Sequence, residues 1–217
     1  MDLIKSLFLF GFPLMRTNID KTSYDKKSLI STIEKNFKLN KKRNLWDNIS
    51  VLHHAYKDKS NSKYHKLNFK TLLPIYKKTL TAMFNNMKLV GKFELECQIV
   101  NYTCLSNSNY MDSHLHSGTD FTAVHYIQFD KKHHTSTMYE NGLPHAQHIL
   151  QLRPELIKIL SKKHNSNSWA YKNWTLDVEE DDFVLSPAYL MHKIIPQTSK
   201  NKNRITLVLN INLKGKK

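Results

Sequence analysis

Two hydrophobic periods divide the chain. Up to about residue 92, apolar side chains recur every three or four positions, the spacing of one helical face. From Phe93 onward they recur every second position, the spacing of strands with one face buried. Leu29, Ile30, Ile33 and Phe37 predict a helix over 25–37, and Leu45, Trp46, Ile49, Leu52, His53 and Tyr56 a second over 45–56, with His53 a packed helix residue. A third helix is predicted from about Thr71 to Lys88, with Pro74 in its first turn and Gly91 just past its end. Its stripe of Tyr76, Leu80, Met83 and Met87 reads as core packing. Ahead of the helices, the apolar run Leu7 to Met15 reads as a first strand entering the core.

The second half reads as short strands. Phe93 to Cys104 is a strand carrying Tyr102 near its end, and Leu105 to Asn109 is a polar turn. Phe121 to Phe129 follows as a strand, then a turn, Lys131 to Thr137, that places His133 and His134 in solvent. Pro154 to Lys163 predicts a short helix, Asn165 to Ser168 a flexible connection and Trp174 to Val178 a strand. Beyond a solvated acidic turn, Glu179 to Asp182, lies the strand Asp182 to Pro187. Arg204 to Leu213 gives the cleanest alternation: every odd position is apolar, and the even positions are mostly polar and begin with Arg204. Helices followed by a run of short strands indicate an α+β domain over 1–217, with a helical part at about 20–92 and a sheet part at about 93–213.

Composition narrows the class. The formal net charge of +15 asks for an anionic partner, and nucleic acid fits that charge. Against this, lysines and asparagines are spread through the chain, glycines number only five, and the clusters Lys41-Lys42-Arg43 and Lys214 to Lys217 flank elements or end the chain. Two cysteines, Cys97 and Cys104, sit in or beside one apolar strand and read as reduced core thiols, the pattern of a cytoplasmic protein. Asp2, Pro13 and the lack of a small-residue cleavage site argue against a signal peptide at the N-terminus. No run approaches the roughly 20 apolar residues of a membrane span.

Candidate chemistry gathers at Asp112-Ser113-His114-Leu115-His116-Ser117-Gly118-Thr119-Asp120. Histidines at i and i+2 of an extended segment project to one side, so His114 and His116 can meet one metal ion. His192 can arrive as a third ligand. Twelve residues further on, the Arg204 guanidinium suits bidentate capture of a carboxylate. Three ligand sets stay open: His114, His116 and His192 together; a carboxylate from Asp112 or Asp120; or His116 as first ligand with Gly118 in the place of an acid. The shared strand face favours the three-histidine set. His145 and His148 could hold a surface metal but have no third ligand nearby.

The ordered set of His114, His116 and Gly118, the strand from Phe121 to Tyr126, the stretch Glu180 to Pro187, Leu190-Met191-His192, Pro196 and Arg204-Ile205-Thr206 resembles the 2-oxoglutarate- and Fe(II)-dependent oxygenases. The branch it resembles is the prolyl-hydroxylase-like one with a His-x-His motif. The resemblance covers roughly residues 93 to 213. It implies a double-stranded β-helix (jelly roll) behind an N-terminal helical layer. It implies Fe(II), 2-oxoglutarate and O2 as cofactor and cosubstrates, with Arg204 and Thr206 on the distal carboxylate and Tyr126 and Tyr102 near 2-oxoglutarate. The implied reaction is hydroxylation of a peptide or small-molecule substrate, with decarboxylation of 2-oxoglutarate to succinate. The primary substrate is not identified. The competing reading is a non-enzymatic metal-binding jelly roll that binds an acidic partner or nucleic acid.

Overall fold

The computed structural model describes residues 5–9, 11–39, 64–87, 89, 92–143, 148, 152, 154–160, 162, 164–198 and 202–215. The helix expected over 45–56 with its His53, the cluster Lys41-Lys42-Arg43 and His145 lie outside these residues.

The N-terminal apolar run is a hairpin rather than one strand. Strand β1 (Lys5–Leu9) pairs antiparallel with β2 (Phe12–Asn18), and the chain turns at Gly11 with φ 86°. That left-handed conformation is one a Cβ would strain. Next come α1 (Lys26–Leu39), α2 (Leu72–Asn86), β3 (Phe93–Leu105), β4 (Met111–His114), β5 (Phe121–Gln128) and β6 (Met138–Glu140). They are followed by α3 (Pro154–Ile159), β7 (Asn173–Thr175), β8 (Asp182–Pro187), β9 (His192–Ile194) and β10 (Arg204–Gly215). A large sheet has the order β1-β2-β8-β5-β10-β3, and a smaller one β4-β9-β6-β7. From β3 onward the chain passes back and forth between the sheets, which is the winding of a double-stranded β-helix.

Two apolar layers hold this together. Leu29 and Ile33 of α1 and Tyr76, Leu80, Met83 and Phe84 of α2 cover the outer face of the large sheet, over Ile205, Leu207, Leu209 and Ile211 of β10. Those four odd positions are fully buried, as the alternation of β10 requires. A second cluster, including Val124, Tyr126, Tyr139, Trp174 and Val184, fills the space between the sheets. The even positions of β10 face that interior, where Arg204 and Thr206 are buried at 0% and 1% exposure.

Strand β3 breaks the simple alternation. Val208 pairs with Asn101 and Leu209 with Ile99, so Val100 is an extra residue, a bulge. Core-facing positions change from odd, such as Ile99, to even, such as Tyr102 and Cys104, while Val100, Asn101 and Thr103 turn to the interior between the sheets. The place expected for Tyr102, beside the cosubstrate, is therefore corrected: it packs under the helices, in register with Leu207.

Three other expectations change. His134 is not in solvent: it is buried, accepts from the Asp130 backbone N–H through Nδ1 at 2.8 Å and donates through Nε2 to the Lys202 carbonyl at 2.8 Å. The acidic turn is solvated only at its start, where Glu179 is exposed. Asp181 and Asp182 are buried, and Asp181 accepts from Tyr24 at 2.8 Å and Lys26 at 2.6 Å. Residues Asn165–Ala170 form a short 3-10 helix rather than a flexible connection. Strand β6 has no counterpart in the sequence reading, and β7 is shorter than expected.

Candidate metal and carboxylate site

Strand pairing brings the three histidines together. β4 lies antiparallel to β9 with His114 and His192 as direct partners. The backbone N–H of His116 donates to the Ala188 carbonyl at 2.9 Å, which holds the segment after β4 against the loop before β9. Ring centroids stand 4.3 Å apart for His114 and His192, 5.5 Å for His114 and His116 and 5.3 Å for His116 and His192. One ligand atom from each lies within 4.8 Å of the others.

Hydrogen bonds select the tautomer of each ring. His114 Nδ1 donates to the Asp112 carbonyl at 2.8 Å, His192 Nδ1 to the Leu190 carbonyl at 2.8 Å and His116 Nδ1 to the Asn210 Oδ1 at 3.1 Å. In its neutral form each ring thus carries its lone pair on Nε2, the arrangement of a metal-ligating imidazole. Burial, reinforced by the neighbouring His114, pushes His192 down to about 3 and His116 down to about 4. Both are neutral at neutral pH, the state a metal requires.

The carboxylate alternatives fall elsewhere. Asp112 accepts from its neighbour's backbone, the Ser113 N–H, at 2.8 Å. Asp120 is exposed and accepts from the Leu213 N–H at 2.9 Å. Among the described residues, the three histidines are the only group of three or more His, Cys, Asp or Glu placed to share an ion. Gly118 forms a turn with φ 75° just beyond them.

The histidines open onto a cavity of about 220 Å³ whose far wall is the inner face of β10: Arg204, Thr206, Val208 and Asn210. None of the described lining residues is acidic. Arg204 is fully buried. Its Nε donates to the Thr135 carbonyl at 3.0 Å and its Cζ lies 5.2 Å from the centre of the Tyr126 ring, but Nη1 and Nη2 are buried with no hydrogen-bond partner. Burial lowers its pKa from the usual value, with Tyr126 and Tyr139 opposing. A buried guanidinium with two unmet donors is costly unless an anion meets it.

Hydroxyls surround the same position. Thr206 and Thr103 share one hydrogen bond at 2.6 Å, so one of their two protons remains to be donated. The Tyr126 hydroxyl donates to Thr137 Oγ1 at 2.8 Å, which directs the Thr137 proton elsewhere. Thr103 and Thr137 escaped the sequence reading. Thr103 lies just beyond the β3 bulge, and Thr137 enters the cavity from the loop before β6. Asn210 was legible as a polar even position of β10, but its partner His116 was not.

Residues 101–210 match the model of a family described as "Putative 2OG-Fe(II) oxygenase". No curated protein matches the chain. Among solved structures, a prolyl-4-hydroxylase of Pseudomonas putida is similar with a TM-score of 0.53 and 9% identity, over 93% of each chain. A prolyl hydroxylase of Trichoplax adhaerens, in complex with a peptide of the hypoxia-inducible factor oxygen degradation domain, has a TM-score of 0.50 and 9% identity, over 92% of this chain and 83% of that one. At such identities the likeness establishes the jelly-roll fold.

Proposed function

Since the chain belongs to the 2OG-Fe(II) oxygenase family, whose model matches just over half of it, we propose that it hydroxylates a peptide or small-molecule substrate while converting 2-oxoglutarate to succinate. It is a 2-oxoglutarate-dependent non-haem iron dioxygenase, with Fe(II) and 2-oxoglutarate as its cofactors. When bound, the iron lets O2 oxidise both molecules: one oxygen atom goes into succinate as CO2 leaves, and the other into the substrate as a hydroxyl.

The protein's part is to bind and orient. His114, His116 and His192 hold the metal through Nε2, a set of three ligands that leaves open coordination positions. Arg204 takes the distal carboxylate of 2-oxoglutarate on Nη1 and Nη2, with Thr206 and Thr137 adding hydroxyl donors. Tyr126 acts through Arg204, by lying against the guanidinium and fixing Thr137. A peptide has a precedent in the Trichoplax adhaerens complex. Two free thiols, Cys97 and Cys104, fit a reducing compartment, and we place the protein in the cytoplasm. No helix of the described residues is long and apolar enough to cross a membrane.

One observation carries this reading: Arg204, whose two terminal nitrogens are buried without a hydrogen-bond partner, lines the same cavity as the three histidines. A metal-binding jelly roll without chemistry leaves them with nothing to bind. The test is anaerobic addition of Fe(II) and 2-oxoglutarate, which should give the weak visible charge-transfer band of the chelate. Admitting O2 should then release succinate, slowly without substrate and faster with it. No band and no succinate would remove the proposal.

A further inference from the structure

The three histidines are not held alike. His114 and His192 each donate Nδ1–H to a backbone carbonyl two residues earlier, Asp112 and Leu190. Those bonds come with the local chain path, whatever the surrounding side chains. His116 lies two residues past the end of β4, and its acceptor is the side chain of Asn210, 94 positions away on β10. Its backbone is held by the bond to Ala188, but no backbone group holds its ring in the manner of the other two.

An imidazole without an acceptor has two handicaps as a ligand. Its second torsion has two broad wells that exchange the positions of ring carbons and nitrogens, and its neutral form has two tautomers. Only one combination turns a lone pair of Nε2 toward the position shared with His114 and His192. We propose that Asn210 is the positioning residue for His116: by accepting Nδ1–H it selects both the ring orientation and the tautomer that present Nε2 to the metal. This rests on the three-histidine reading above. It also gives β10 a double task, since Arg204 and Asn210 stand on the same face of that strand, one at the carboxylate and one at the metal. Displacement along β10 moves both together.

The test uses the full chain and metal affinity, read anaerobically by calorimetry with Fe(II) and by visible absorption with Co(II). Asn210→Leu keeps the size of the side chain and removes the acceptor; it should weaken binding by about 10- to 100-fold, the usual effect of losing a group that orients a ligating histidine. The Co(II) spectrum at saturation should also change, because one imidazole no longer ligates in a single orientation. Asn210→Asp keeps an acceptor and should restore wild-type affinity to within a few-fold together with the wild-type spectrum. Asn210→Ala reads the same loss should the Leu variant fail to fold. His116→Ala and His192→Ala serve as references. If these two weaken the metal and the Asn210 variants do not, the positioning role is overturned and the metal site stands. If none of them does, the metal site itself is wrong. A Leu variant that melts earlier yet keeps the wild-type affinity and Co(II) spectrum shows Asn210 to be structural only, which also overturns the proposal.

Discussion

Replacing Arg204 by Met separates the cost of the guanidinium from its use. In the protein without cosubstrate, Nη1 and Nη2 are buried and unmet, and each such donor costs on the order of 1 to 3 kcal/mol. Met fills much of the same volume and abolishes that cost. It also gives up the bond to the Thr135 carbonyl and the contact with Tyr126, together about 2 kcal/mol. The two roughly cancel, so Arg204→Met should melt within about 4 °C of wild type or above it. Binding behaves differently. A bidentate pair with a carboxylate supplies on the order of 2 to 3 kcal/mol, so 2-oxoglutarate should bind about 30- to 150-fold more weakly. At a concentration 100 times the wild-type Kd, with Fe(II) present and O2 excluded, the cosubstrate should stabilise wild type by about 2.7 kcal/mol and the variant by less than about 1 kcal/mol. Arg204→Lys should recover part of the difference, because it keeps the charge without the planar fork. Thermal unfolding with and without 2-oxoglutarate, together with titration calorimetry, reads both quantities. Equal 2-oxoglutarate affinity in wild type and Arg204→Met would refute the argument, whatever the melting temperatures show.

Metal dependence provides a second check: His192→Ala should lose specific Fe(II) binding while remaining folded, and unchanged affinity in calorimetry would reject the ligand set. His116→Asp restores the commoner carboxylate at that position and should still bind Fe(II), whereas His116→Ala should not; an Asp variant as weak as the Ala variant would show that the position is not a ligand. The third prediction concerns acid stability. His125 on β5 is fully buried, shares a hydrogen bond of 2.6 Å with the Tyr76 hydroxyl and has its pKa pushed down to about 3, by burial first and by Lys26 second. The unfolded chain binds a proton there near pH 6.5 that the folded chain refuses. Its contribution is therefore complete above about pH 6.5 and falls as the pH drops toward 3, by on the order of 1 kcal/mol per pH unit. Urea unfolding of metal-free wild type and His125→Gln across that range should show a shallower slope for the variant, and parallel slopes would contradict it. Finally, Tyr102→Phe should leave 2-oxoglutarate affinity unchanged by calorimetry, since Tyr102 packs under the helices; a tenfold loss would return it to the cosubstrate.

What the sequence made legible follows from the range of each interaction. Strand β10 reads cleanly because its facing layers differ in kind, apolar under the helices and polar toward the cavity, so Arg204 and Thr206 could be assigned a face before any coordinates. Helices α1 and α2 read cleanly for the same reason. The bulge at Val100 left no mark, because one inserted residue in an apolar strand looks like ordinary sequence, yet it reverses every later side chain of β3 and moved Tyr102 from one side to the other. His134 and the acidic turn misled because their neighbours in sequence are polar. The partners that bury them are distant: Lys202 for His134, and Tyr24 and Lys26 for Asp181, which lies 157 and 155 positions from those residues. Asp181 adds a positive φ of 68° that a solvated acidic run gives no reason to expect.

The placement of acids completes the electrostatic argument. The commoner form of this metal motif brings a carboxylate to the iron; here His116 occupies that position, and the described cavity lining holds no Asp or Glu. The nearby buried acids work on other faces of the fold, Asp181 with Lys26 and Tyr24 and Asp182 with Arg16. With the proposed three-imidazole ligand set, no protein carboxylate would compensate the double charge of Fe(II), and buried Arg204 would add another positive charge to the same cavity. On that reading the two carboxylates of 2-oxoglutarate would balance most of it, one toward the metal and one toward the guanidinium. Metal and cosubstrate should then strengthen each other, and because such coupling is reciprocal, Fe(II) affinity must rise with 2-oxoglutarate by the same factor as 2-oxoglutarate affinity rises with Fe(II). A chain that carries its own carboxylate at the iron has less need of that coupling. In this one, with donors from Arg204, Thr206 and Thr137 and no acidic residue in the described lining, the proposed cosubstrate would be the missing acidic component of the site.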